Sequence, residues 1–374
     1  ADYSGPDSAT ATSASATCTD AAGNVSGPDV SDAFKYDATA PVITNLGQTP
    51  SSPNGTNGWY ITNVSNRFSA ADATSGLSVT CLAVFPNPTN YQDKATSGEG
   101  ASIHTTSDGC TDVAGNVATA INSANFKIDL NDPAVSISSP ASSFVTVMPT
   151  ITVGGAASDT AAGSGVATVS VNGTAGAYGA GAWTASNVPL ACGANVITAL
   201  ATDVSGRTAS TTPTLTVTRV CLSGFQYYQP IDQSTTSSPI VNVGKFGKVI
   251  PVKVTALYSL GGTPVALTDT VMAANGLSMI IGVNNAACVG GGATDDVELY
   301  ADAGSANANT NLFRYSSGQW IYNLDTGHAP SVVMAVNSCY RLDVYLLDSH
   351  GGKVLLSSGP TLGTGAYAIF KPTK

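Results

Sequence analysis

The residues best suited to chemistry are aspartates at repeated spacings. Asp37 lies four positions before Pro41, and Asp129 lies four before Pro133, with Asp132 added beside the second proline. Asp20 and Asp112 each open an Asp-x-x-Gly-Asn turn. Of the 24 acidic residues only Glu99 and Glu298 are glutamates. Short carboxylates in turns suit a hard cation, which takes several oxygens that two adjoining modules can share. Asp37, Asp129, Asp132, Asp20 and Asp112 are therefore candidate calcium ligands. The same side chains also suit plain turn capping, since Asp accepts from backbone N–H groups two residues on. Gly23 and Gly115 supply the positive φ such a turn needs. With no Asp-x-Asp-x-Asp loop in the sequence, both readings stand.

Other chemistries find less support. The three histidines, His104, His328 and His350, have no Ser or Asp pattern that would make a triad, and no Gly-x-Ser-x-Gly elbow occurs. Asp296 and Glu298 lie two apart on one expected strand face, but no second acidic cluster completes a glycosidase pair. The chain is not expected to be an enzyme, and calcium is the one cofactor considered. Tyr227 and Tyr228, with Tyr315, Trp320 and Tyr322 as the candidate set, would stack on a surface glycan if exposed on one face; otherwise they are core aromatics. The seven cysteines form no Cys-x-x-Cys or zinc pattern. Wide spacing in an acidic chain reads as disulfides of an exported protein, and the expected pairs are Cys81–Cys110, Cys192–Cys221 and Cys288–Cys339.

The elements that must position these residues follow from a repeat. Cys18-Thr-Asp-Ala-Ala-Gly-Asn-Val25 returns as Cys110-Thr-Asp-Val-Ala-Gly-Asn-Val117, and Phe34-Lys-Tyr-Asp37 returns as Phe126-Lys-Ile-Asp129, both 92 positions on. Aromatics make up 7% and charged residues 10%, both low for an ordinary enzyme, and Thr, Ser, Ala, Gly and Val fill the space. No run of ten or more residues has a helical period, while short alternating runs and turn signals are everywhere. These features predict an all-β chain of tandem immunoglobulin-like Greek-key β-sandwiches with a β-rich C-terminal domain. Residues 1–41 read as the back half of a repeat, 42–132 as a complete copy, 133–220 as a related module and 221–374 as a distinct β domain. Leu77–Cys81 is expected as a strand, Phe313–Tyr322 as a hairpin turning at Ser316-Ser317-Gly318, and Leu215 and Val217 as inward positions of one strand. The half copy leaves Cys18 without a partner, so another chain or an upstream region is expected to complete it.

The Asp-x-x-Gly-Asn turn followed by Asp37-Ala-Thr-Ala-Pro-Val-Ile43 resembles bacterial immunoglobulin-like repeats of large exported proteins. Residues 133–220 resemble the glucodextranase B-like module through Ser164–Gly173, Trp183, Val188-Pro-Leu190, Gly193–Thr198 and Ala201-Thr-Asp203. Residues 221–374 are similar to the PxKF domain through Pro251-Val-Lys253, with Val254 in place of Phe, and through Gly318–Asn323 and Cys339–Leu342. Linker aspartates hold calcium in some long adhesins of the first type, which is what that resemblance implies here. The expected function is an exported structural or cell-surface protein, a rod, surface-layer or filament subunit joined by strand complementation through residues 1–41. The alternative is a non-catalytic accessory region of a larger secreted enzyme or adhesin. The expected partners are a second copy or an upstream region, with a surface glycan as a further candidate. A net charge of −10 argues against nucleic acid. The expected location is extracellular or at the cell surface. No run of eighteen apolar residues and no signal peptide occurs, so the sequence is read as a mature form or a fragment.

Overall fold

Period-2 alternation organises nearly every element. The computed structural model describes residue 3 and residues 5–212, 214–235, 238–288, 293–296, 310–356 and 366–374. The chain is all-β, built of tandem immunoglobulin-like β-sandwiches with a β-rich C-terminal part. It packs as two compact units. One comprises Ala1–Val135, Ala157–Thr168 and Ala201–Ala209; the other comprises Ser136–Ala156, Val169–Leu200 and Ser210–Lys374. Among the described residues no helix is long and apolar enough to cross a membrane.

In the first unit, Val42–Thr49, Ser65–Ala71 and Tyr91–Ala95 form an antiparallel sheet. Asn66, Phe68 and Ala70 alternate inward along its middle strand. A second sheet places Phe126–Ile128 between Trp59–Tyr60 and Gly100–Ile103. The apolar clusters are small: Phe68, Ala70, Cys81, Phe85 and Cys110 in one, and Tyr60, Val64, Phe126 and Ile128 in the other. Residues 5–41 add two short ladders, Ser8–Thr12 with Phe34–Tyr36 and Ser15–Ala16 with Asp29–Val30.

The strand expected at Leu77–Cys81 is instead a helical turn, Val79–Val84. Val and Thr favour strands in isolation, but Ser78 accepts from the Cys81 N–H as an N-cap. The Cys81–Cys110 bridge then pins the turn to the strand Cys110–Thr111. A second short helix, Asp269–Ala274, also escaped the pattern reading and is capped by Thr268.

In the second unit, Thr150 to Ala156 of the strand Thr150–Ser158 pairs with Ala182–Pro189, which pairs with Thr174–Gly179. Leu215–Arg219 lies between Phe144–Thr146 and Gly193–Ile197, with Leu215 and Val217 inward as expected. Among the described residues the C-terminal part is two sheets. One runs Cys221–Tyr228, Val249–Ser259, Gln319–Asp325, Arg314–Ser316. The other runs Ser278–Ala286, Cys339–Leu347, Ala368–Thr373, Ile240–Lys245, Ala293–Asp296. Ile250, Val252, Val254, Trp320, Tyr322 and Leu324 of the first share one large core with Met279, Ile281, Leu342, Val344, Leu346 and Phe370 of the second. Pro251 sits in a central strand just past the last pairing with Cys221–Tyr228, Tyr228 to Lys253, where a missing N–H is tolerated. The Arg314–Asp325 hairpin turns at Ser317 and Gly318, both with positive φ, as a two-residue loop matching the strand twist requires.

Candidate metal centres

Three turns of one design carry the key carboxylates. In each, the first Asp donates its N–H to the carbonyl four residues on: Asp20 to Asn24, Asp112 to Asn116 and Asp203 to Arg207, at 2.9, 3.1 and 3.0 Å. Its Oδ1 accepts the N–H of that same residue at 2.9, 2.8 and 2.9 Å. A glycine one residue earlier takes positive φ, +89° at Gly23, +98° at Gly115 and +94° at Gly206. At Asp20 the Asn24 side chain is the foremost influence holding the carboxyl below its ordinary value. At Asp112 burial pushes upward, but bonds from the Asn116 side chain and backbone outweigh it and the carboxyl is held low.

A linker aspartate then joins two of these turns. Asp37 accepts from Thr39 N through Oδ1 and from Ser75 N through Oδ2, both at 3.0 Å. Asp129 repeats this with Asn131 N at 3.3 Å and Ser164 N at 2.9 Å. Each serine belongs to a loop opened by a third aspartate. Asp72 accepts from Ser75 N and Gly76 N, and Asp159 from Thr160 N and Gly165 N. The result is two triads, Asp37–Asp72–Asp112 and Asp129–Asp159–Asp203, each with one oxygen per residue within 4.8 Å of the others. Both lie inside the first unit. Asp112, Asp129 and Asp203 are buried, at 2%, 0% and 2% exposure. The Asp159 carboxyl is pushed up by burial, with Asp129 and Asp203 adding repulsion. Oxygens on opposite sides of a calcium ion stand roughly 5 Å apart, so either triad could share one hard cation.

A further acid braces each linker. Asp7 accepts from Ala38 N and Thr39 Oγ1, while Glu99, 92 positions on, accepts from Leu130 N, Asn131 Nδ2 and Thr160 Oγ1.

Of the aspartates singled out in the sequence, the structure brings Asp37 to Asp112 and gives Asp129 a separate triad. Asp20 joins no triad among the described residues; its carboxylate is taken up by its own turn. Asp132 is drawn off by Arg207, with Nε 2.9 Å from its Oδ1, and is not part of the oxygen cluster. Sequence reasoning missed Asp72, Asp159 and Asp203 as partners, and Glu99 as a brace. The available signal was an Asp upstream of Ser-Gly in successive modules, at Ser75-Gly76 and Ser164-Gly165.

The remaining candidates fall elsewhere. The three expected disulfides are present, and Cys18 is exposed and free. Trp320 and Tyr322 are 5% and 4% exposed, with Trp320 Nε1 donating to Leu267 O and Tyr322 OH to Thr310 O. A stacking platform needs an open ring face, and these two rings are spent on the core instead. Tyr315 is half-buried, its ring 5.0 Å from that of Trp320. His104 is exposed, His328 contacts Asp325 on an open turn and His350 lies against Phe144. Glu298 lies outside the described residues, as does the side chain of Asp296.

No family model matches the chain, and no curated protein does. Similar solved structures include three immunoglobulin domains of titin, at 9% identity and a TM-score of 0.35, covering 90% of this chain and 99% of that one. Fibronectin(III)-like modules of Clostridium thermocellum CbhA match at 15% and 0.26, covering 64% and 94%. A Ca2+-stabilized adhesin with which an Antarctic bacterium binds ice matches at 15% and 0.26, covering 97% and 82%. At these scores no site is carried across from any of them.

Proposed function

We propose that this chain is a non-catalytic structural or adhesive segment of a bacterial cell-surface protein, stiffened by calcium held between successive carboxylate turns. The observation that carries this reading is the double occurrence of one cage, Asp37–Asp72–Asp112 and Asp129–Asp159–Asp203, built from linker, loop and turn in the same order. Three disulfides suit an oxidising, extracellular setting. The glucodextranase B-like reading of 133–220 and the PxKF reading of 221–374 belong to this proposal. The central placement of Pro251-Val-Lys253 and the Gly318–Trp320 hairpin support the second of them.

Ligand bound only by the folded state stabilises it by about 2.7 kcal/mol at a hundred times its Kd. Millimolar calcium should therefore raise the melting temperature by several degrees, and chelator should lower it. An unchanged melt in both arms would falsify the metal. For location, antibodies to the chain should label intact source cells; labelling only after permeabilisation would rule out a surface role.

Assembly by strand exchange through residues 1–41 is the finer part of the proposal. Its support is two short, largely exposed ladders and the exposed thiol of Cys18. Sedimentation velocity should show concentration-dependent association, and a monomer throughout the micromolar range would exclude it.

A further inference from the structure

The two triads share a design but differ at one position. In the first, Asn116 Nδ2 donates to Asp112 Oδ2 at 2.7 Å and lies 3.2 and 3.5 Å from the carbonyl oxygens of Asp37 and Thr39. The amide nitrogen thus sits among a carboxylate and two carbonyls, where a cation would otherwise collect oxygens. In the second, the matching residue is Arg207. Its backbone N–H keeps the turn bond to Asp203 Oδ1. Its guanidinium leaves the cage, ion-pairing with Asp132 and donating to Ile61 O. Asp203 Oδ2 is left with no hydrogen-bond partner on a side chain only 2% exposed. A buried carboxylate oxygen without a partner carries a large desolvation penalty that a cation would remove.

We propose that, of the two triads among the described residues, Asp129, Asp159 and Asp203 form the high-affinity site for a hard divalent cation, and that Asp37–Asp72–Asp112 is its closed twin, with the Asn116 amide standing where the ion would. This rests on the calcium reading above and narrows it from two equivalent cages to one. The residue at the fourth position after the turn aspartate sets which cage is open: a short amide folds back onto Oδ2, while a long guanidinium reaches past it. Glu99 serves the open cage from outside, fixing the 130–131 linker and Thr160 through hydrogen bonds rather than facing the ion.

Equilibrium dialysis of the full, chelator-stripped chain against calcium tests this directly. The expected result is one equivalent bound. Asp203→Asn should weaken it at least a hundredfold, and Asp112→Asn should leave it within twofold. Arg207→Asn removes no ligand, yet should weaken binding at least tenfold by supplying an amide to Asp203 Oδ2. Melting curves in chelator check that each variant is folded, and Arg207→Asn carries the test if Asp203→Asn is not. Two equivalents, one lost with each Asp→Asn change, would overturn the distinction while leaving the calcium reading intact. Binding unaffected by Arg207→Asn would overturn the role of that position. No bound calcium in the unmodified chain would remove both readings.

Discussion

The two compact units hold themselves together by different means. The C-terminal sandwich of the second buries one continuous apolar core from Val147 to Phe370. The first has small clusters around Phe68 and Phe126, and ties its turns and linkers with buried carboxylates. An apolar core carries no charge for a chelator or moderate acid to act on. Charge-assisted hydrogen bonds are stronger than neutral ones, but they exist only while the carboxylate is ionised. A thin core therefore transfers part of the structural work to groups whose charge depends on the solution.

Substitutions can break this contrast, and the largest effect belongs to the large core. Phe370→Ala, at a fully buried position, should destabilise the second unit by about 3–5 kcal/mol, read by urea unfolding. It should leave any calcium response of the first unit unchanged by hydrogen exchange. Next comes the Cys81–Cys110 bridge, replaced by Ser at both ends. The expected loss is about 2–4 kcal/mol, concentrated in residues 42–132, because both sulfurs are also members of the Phe68 cluster. Equal exchange in both units would show that the bridge does not act through the small cluster.

Asp348 sharpens the contrast from the other side, as a carboxylate tie within the second unit. Its Oδ2 accepts from Thr146 Oγ1 at 2.7 Å and Val147 N at 3.2 Å, and its Oδ1 from His350 N and Gly352 N. Asp348→Asn should lose about 1.5–3 kcal/mol. Burial alone would raise this carboxyl, but the bonds from Thr146, Gly352, His350 and Val147 hold it below its ordinary value. The folded state thus favours the ionised form. The contribution is complete above the unfolded value near 3.8 and disappears as pH falls through the lower folded value. In the wild type, denaturation midpoints should fall steeply below about pH 4, and Asp348→Asn should flatten that fall.

The smallest effect is expected at Arg67. Its bidentate pair with Asp93 has both side chains about half exposed. Such a pair gives little net stability, and Arg67→Ala should leave the midpoint unchanged in moderate salt.

The sequence made the sandwiches readable because strands alternate and the 92-residue period repeats whole turns. Leu215 and Val217 point inward and all three disulfides pair as the spacing suggested. Half of the cage was legible for the same reason, since Asp37 and Asp129 keep the period. The rest was hidden by loop length. Asp72 lies three residues before its serine and Asp159 five before its own, so no fixed spacing connects them to the linkers. Asp132 misled because adjacency to Pro133 looked like a ligand position, whereas Arg207, 75 positions away in sequence, claims it. Val79–Val84 misled because β-branched residues outvoted a single capping serine.

The strand Ala368–Thr373 lies between Cys339–Leu347 and Ile240–Lys245, antiparallel to the first and parallel to the second. A chain made or threaded from its N-terminus delivers Ile240–Lys245 more than a hundred residues before that neighbour arrives. Until then the inner edge of Ile240–Lys245 has no partner, and Phe370 is missing from the core. The sheet cannot close piecemeal, and its long-range pairing makes closure slow. In a chain made from its N-terminus this sheet is therefore completed only once residue 373 has emerged, which gives folding a direction set by topology.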